Sequence, residues 1–151
     1  MTVRIYITHS VKGIRADKAA YGYMMVCLNQ MGEQMLAKGQ TREGFGTLEH
    51  ATQTAVILTA AAEAVERMKA PVELEIYTDS THITNLINIR TPKKWKQDGY
   101  KNSKGEQVED AGLWDRLLNA MEKHHIQMMF SLKHEFTVYL ETELKAMLAG
   151  K

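Results

Sequence analysis

The sequence predicts a single-domain α/β fold, a mixed sheet with helices packed against it, on three observations. The first third of the chain carries apolar, β-branched and aromatic runs separated by turn residues, the pattern of an antiparallel meander. Thr52–Met68 then changes period: apolar residues recur at helical spacing, with many alanines and no glycine or proline. Beyond it strand and helix patterns are interleaved, so later strands must return to the sheet through helical crossovers.

Each element has its own signal. Val3–Thr8 alternates β-branched and aromatic residues, and Tyr21–Asn29 is an apolar strand. Gln30–Gly32 reads as a turn, because Gly32 adopts positive φ at little cost. Glu33–Lys38, with Gly44–Glu49, then completes the meander. After the Thr52–Met68 helix, Pro71 breaks the pattern and Val72–Thr78 alternates as a strand. Helices are expected at Thr81–Asn88, around Lys93–Gln97 and at Ala111–His124, then a strand at Ile126–Leu132 and a helix at Val138–Leu148. The 151 residues suit one core, so residues 1–151 form one domain, with a basic segment at approximately 90–105 as the only shift in composition.

The bulk numbers narrow the function classes. Nineteen basic and 18 acidic residues leave a net charge of +1, so nucleic-acid binding must rest on a local patch. The lone Cys27 permits neither an internal disulfide nor a CxxC zinc pair, and reads as a small thiol on a strand. No apolar run reaches the roughly 18 residues of a membrane span, and no basic segment followed by an apolar one opens the chain. A cytoplasmic protein without membrane contact is expected.

The stretch Ile76-Tyr77-Thr78-Asp79-Ser80 places a carboxylate where a strand leaves the sheet. Downstream come Trp95-Lys96-x-x-Gly99-Tyr100-Lys101, then Val108, then Leu113-Trp114-x-Arg116-Leu117. In order and spacing these segments resemble ribonuclease H type 1, with its strand-end aspartate, basic protrusion and following helix. The resemblance covers essentially the whole chain. It implies a five-stranded ribonuclease H-like sheet flanked by helices.

It also implies a chemistry. In that family four carboxylates hold two divalent metal ions, which drive hydrolysis of the RNA strand of an RNA–DNA hybrid. Two hard cations about 4 Å apart need clustered anionic oxygen to offset their repulsion. The four positions fall on the first strand, the first helix, the end of the next strand and the last helix. Here they carry Thr8, Thr54, Asp79 and Thr142; a shifted register on the first helix gives Val56, and on the last helix Glu141 or Glu143. No acid occurs from Met1 to Ala16 or from His50 to Ala62, so two losses survive any small error of register. A threonine hydroxyl touches a metal but does not supply the missing charge. The expectation is a degenerate site in which Asp79 is vestigial. No metal is expected, Asp79 and Glu143 being weak candidates; Mg or Mn enters only if the chain is active.

Other features have a bland and a sharp reading. Asp79 and Ser80 follow a strand and precede a helix, where such residues cap. Lys93, Lys94, Trp95, Lys96, Tyr100 and Lys101, with Arg90 and Lys104, are the candidate nucleic-acid surface. Its lysines would neutralise phosphates, while Trp95 and Tyr100 either pack on a sugar or anchor the protrusion. Glu106, Glu109 and Asp110 oppose phosphate, Asp110 lying near where the family has a base-edge asparagine. His9, beside Thr8, would with Asp79 suit a transition metal. His134 corresponds to the family's flexible-loop histidine, although its glycine-rich surroundings are absent. His124-His125 reads as a histidine pair at a helix C-terminus, favoured by the dipole. The pairs Met24-Met25 and Met128-Met129 read as flexible core filler, or else as a patch for self-association.

Three functions follow. The first is a non-catalytic module that binds RNA–DNA hybrid or another nucleic acid through the basic protrusion. The second is an active metal-dependent ribonuclease H with an atypical site around Asp79, Glu141 or Glu143, and His9. The third is a protein-interaction or oligomerisation domain, such as a homodimer.

Overall fold

The structure, a computed structural model, describes residues 2–28 and 41–150. The expected turn at Gln30–Gly32 and strand at Glu33–Lys38 lie outside the described residues. The elements run β1 (Thr2–His9), β2 (Arg15–Leu28), β3 (Thr41–Thr52), α1 (Gln53–Glu66), β4 (Glu73–Thr78), α2 (Thr81–Asn88), α3 (Thr91–Gln97), α4 (Ala111–Met121), β5 (His125–Phe130) and α5 (Thr137–Leu148). They form a five-stranded mixed sheet of order β3-β2-β1-β4-β5. The β1–β2 and β2–β3 pairings are antiparallel, while β1–β4 and β4–β5 are parallel.

The second strand starts earlier than its apolar run. Arg15 already pairs with Thr52, and the ladder runs to Val26 against Thr41. Continuous pairing overrides the polar stretch Arg15–Lys18, which hydropathy alone leaves outside the strand. Two glycines of β3 make this region close. Gly44 and Gly46 stand opposite Tyr23 and Tyr21, and a Cβ on either would lie 2.3 Å from the tyrosine hydroxyl. The rings cover the glycines and send their hydroxyls to Glu63 of α1. Glu63 is therefore engaged in holding β2 to α1.

The sheet has two unequal faces. Val3, Ile5 and Ile7 point to the larger core, closed by α1, α4 and Ile83 and Ile87 of α2. Helix α1 is buried nearly all round, because α4 packs on its outer side, and its alanines let both neighbours approach. Thr52 caps it by accepting from Ala55 N. Alternate residues Tyr6, Met24 and Val26 face the other way and pack with Leu140 of α5. At the β5 edge the Asn88 side chain donates to Met128 O and accepts from Met128 N, covering an otherwise open backbone position.

One histidine reading is corrected. Helix α4 ends at Met121, so His124 lies in the following turn and His125 opens β5. The pair therefore owes nothing to a helix dipole. His124 instead accepts at Nδ1 from the backbone N–H of Val72, tying the turn to the start of β4.

Candidate active site

The parallel register of β1 and β4 pairs Tyr6 with Tyr77, which brings the ends of both strands side by side. There Nε2 of His9 lies 3.0 Å from Oδ1 and 3.2 Å from Oδ2 of Asp79. The backbone N–H of Val11 donates to His9 Nδ1, so the neutral ring carries its proton on Nε2, facing the carboxylate. The His9 hydrogen bond holds the Asp79 carboxyl below its usual range, against the opposing effect of burial. Both ring nitrogens of His9 are thus occupied by protein, an arrangement that differs from two ligands around a shared transition metal.

Asp79 does not cap α2. That position belongs to Ser80, whose Oγ accepts from Ile83 N. The motif carries two neighbouring polar residues with separate tasks, and the capping reading of Asp79 is corrected by this geometry.

Thr8 points to the opposite face of the sheet, where its hydroxyl lies 3.3 Å from Nε2 of His134. His134 accepts at Nδ1 from Phe136 N, so Nε2 donates to Thr8. Its ring packs on Tyr6 at 4.9 Å between centroids, within an aromatic group that includes Tyr77 and Phe136. Burial lowers the His134 pKa, with Glu135 and Glu141 acting in the opposite direction. The loop histidine is therefore docked on the position next to the strand end.

The remaining expected positions do not converge with Asp79. Thr54 lines a separate groove, and Val56 is fully buried in the α1 core. Thr142 is exposed on α5, its hydroxyl turned back to Val138 O. Glu143 acts electrostatically on Tyr139, which bonds Glu43, and no ion pair or hydrogen bond among the described residues joins it to Asp79. Glu141 lies on the side of α5 felt by His134. Among the described residues no three His, Cys, Asp or Glu side chains come together in a way that would hold a metal ion.

The basic segment is divided by its helix. Trp95 turns inward, edge-on to Trp114 at 5.6 Å, and Tyr100 donates to Asp115; burial, together with this hydrogen bond, raises the phenol pKa. Both aromatics thus anchor the protrusion. Lys94 and Lys101 are exposed, whereas Lys93 and Lys96 border a different cavity from the one Trp95 lines. The groove beside Trp95 has a volume of about 800 Å³ and runs past Arg15, Gln53, Thr54, His82 and Asp110. Asp110 adopts a left-handed conformation (φ 59°) at the start of α4. Burial and Glu109 raise its pKa, while Arg15 across the groove opposes them. Arg15 and His82 were not among the residues singled out from sequence. Each is an isolated polar residue, and only the fold brings both to the groove.

A family model described as RNase H matches residues 13–138, a stretch that begins after Thr8 and His9. Ribonuclease H of Gluconobacter oxydans is 33% identical over 103 residues, 68% of each chain. Ribonuclease H of Lachnoclostridium phytofermentans is 26% identical over 135 residues, 89% of this chain and 82% of that one. For other relatives, such as those of Caldicellulosiruptor saccharolyticus and Chlorobium phaeovibrioides, the match spans 64% of their length. Among solved structures, a type 1 RNase H with the type 2 active-site motif superposes with a TM-score of 0.75 at 18% identity, covering 99% of this chain and 72% of that one. The foamy viral protease–reverse transcriptase in complex with RNA/DNA hybrid gives 0.66 at 12% identity, over 95% of this chain and 19% of that one. At these identities the structural likeness speaks for the fold.

Proposed function

The chain belongs to the ribonuclease H family, and from that premise we propose that it is a non-catalytic member, which binds RNA–DNA hybrid or a related nucleic acid without cleaving it. One observation carries the reading: the strand-end carboxylate is held by an imidazole, with no second acid beside it among the described residues. Asp79 is bound through both oxygens to His9, and the neighbouring strand position holds Thr8 under His134. This donor set does not fit a pair of magnesium or manganese ions, which require several anionic oxygens on a common centre. Two divalent cations brought together against a single carboxylate repel each other more than that charge offsets.

Binding rests on the groove beside Trp95 and on the exposed lysines of the protrusion. The exposed Lys94 and Lys101 offer phosphate contacts, as does Arg15 in the lining of the groove. Glu109 and Asp110 work against phosphate, so weak affinity with a modest salt slope is expected.

A second reading, an active ribonuclease H with an atypical site, is favoured by the activity for which the relatives are named. The cleavage assay separates the two. Incubation of the purified chain with hybrid and either Mg²⁺ or Mn²⁺ is expected to leave the RNA strand intact while hybrid is retained in a salt-dependent manner. Cleavage that disappears on Asp79→Asn establishes the second reading, and absence of any salt-dependent retention removes the binding claim.

A further inference from the structure

A second concave site borders α3 on the side of Lys93 and Lys96, away from Trp95. We propose that it binds a small organic anion with an apolar body, a carboxylate or phosphate monoester carrying a short hydrocarbon chain or ring. The inference stands apart from the nucleic-acid reading.

The cavity measures about 560 Å³, within the size of small-molecule sites. Its floor is hydrocarbon: Ile87 of α2 with Leu118 and Met121 of α4, all buried. Its rim is cationic. Arg90, set at the α2–α3 junction in a left-handed conformation (φ 66°), and Lys93 have no anionic partner among the described residues. Lys96 donates to Asn119 and lies 3.9 Å from Asp115. Glu122 is the one carboxylate among the described lining residues. Arg90 and Lys93, with Lys96 shared with Asp115, outweigh one negative charge among the described lining residues, and around an apolar floor this balance selects an anion with an apolar body.

His124 belongs to the same wall. Its Nδ1 accepts from Val72 N, which leaves the proton of the neutral ring on Nε2. Nε2 is closed from water and has no hydrogen-bond partner among the described residues. Buried N–H groups without an acceptor are uncommon in folded proteins. The His124 side chain lines the cation-rimmed cavity, but its Nε2, being closed from water, does not open onto it, so an anion there is drawn by the cationic rim. Burial and the nearby Lys123 lower the His124 pKa, so the ring is neutral there and donates only through Nε2. A nucleic-acid backbone is the rival occupant, but phosphate diesters need cations and gain nothing from a floor of Ile87, Leu118 and Met121.

The test is titration of ¹⁵N-labelled full chain with octanoate, octyl phosphate, octanol and a short single-stranded oligonucleotide, read by NMR. Either anion is expected to give saturable shifts at the His124 and His125 rings and at Lys93. Octanol should bind about tenfold more weakly, as should the anion to Lys93→Glu or Arg90→Glu, the loss that one charge-assisted hydrogen bond represents. The tighter of the two anions identifies the headgroup. Failure of both anions to saturate, octanol binding as well as octanoate, or the oligonucleotide shifting the same residues at lower concentration would each overturn the assignment.

Discussion

The Nε2 of His9 lies within 3.2 Å of both carboxylate oxygens of Asp79, although the two residues are 70 positions apart. The His9 side chain is almost fully buried, at 5% exposure, while that of Asp79 is 40% exposed. This pair closes the end of the β1–β4 ladder, and the account of a silent site depends on it.

A structural rather than catalytic Asp79 has a pH signature. Its carboxyl is held below the usual value of 3.8, so its contribution to stability is complete above that value and drains away as pH falls through the folded-state pKa. Given its exposure, Asp79→Asn should cost less than about 1 kcal/mol near neutral pH. Urea unfolding should show the gap between wild type and variant shrinking below about pH 4. By contrast, Ser80→Ala should cost about 1 kcal/mol at every pH, as the loss of a helix cap does.

His134 gives the opposite end of the pH range. Burial holds its pKa below 6.5, so folding favours the neutral ring, and the stability it contributes, complete above about pH 6.5, is lost as pH falls below that value through the folded-state pKa. His124 is shifted the same way, so two imidazoles contribute to that slope. His134→Phe keeps the packing on Tyr6 but removes one of them. Its unfolding free energy should vary less between about pH 7 and 5 than that of wild type, and an unchanged slope would show that His134 is not docked.

Gly46→Ala and Gly44→Ala should each destabilise by about 1–3 kcal/mol, because the added Cβ meets a tyrosine whose hydroxyl is already fixed on Glu63. Gly13→Ala, with nothing within 4 Å of its Cβ, is the control and should change stability by less than about 0.5 kcal/mol. Thermal unfolding of the three variants checks the β2–β3 register directly.

Much of this architecture was visible in residue patterns. The alanine-rich helical period located α1, and Thr81–Asn88 was bounded as observed. The Trp95–Tyr100 and Leu113–Leu117 spacings point to the fold. What sequence could not supply was which of two neighbours does which job. Asp79 and Ser80 are equally good caps by type, and only the register of β1 on β4 gives Asp79 to His9. In the same way, a run of lysines on a short helix reads as one surface, whereas α3 sends Lys93 and Lys96 to one cavity and Trp95 to another. His124 lost its helical reading because α4 stops at Met121, three residues before it.

Nucleic-acid binding by the protrusion should respond to charge rather than to sequence. Lys94→Glu and Lys101→Glu should each weaken hybrid binding and reduce the salt slope by about 1, with no change in base preference. Asp110→Asn should strengthen it, since a carboxylate leaves the groove proposed to hold the phosphate backbone. Fluorescence anisotropy across a salt series measures all three, and variants that bind like wild type would place the contact elsewhere.

The most direct test of the central claim, that too few acids converge here for two metal ions, is Mn²⁺ titration of ¹⁵N-labelled protein in the presence of uncleaved hybrid. The account predicts no saturable broadening centred on Asp79 and Thr8 at millimolar metal. Broadening that saturates around those residues, at a stoichiometry of two ions and lost in Asp79→Asn, would contradict it.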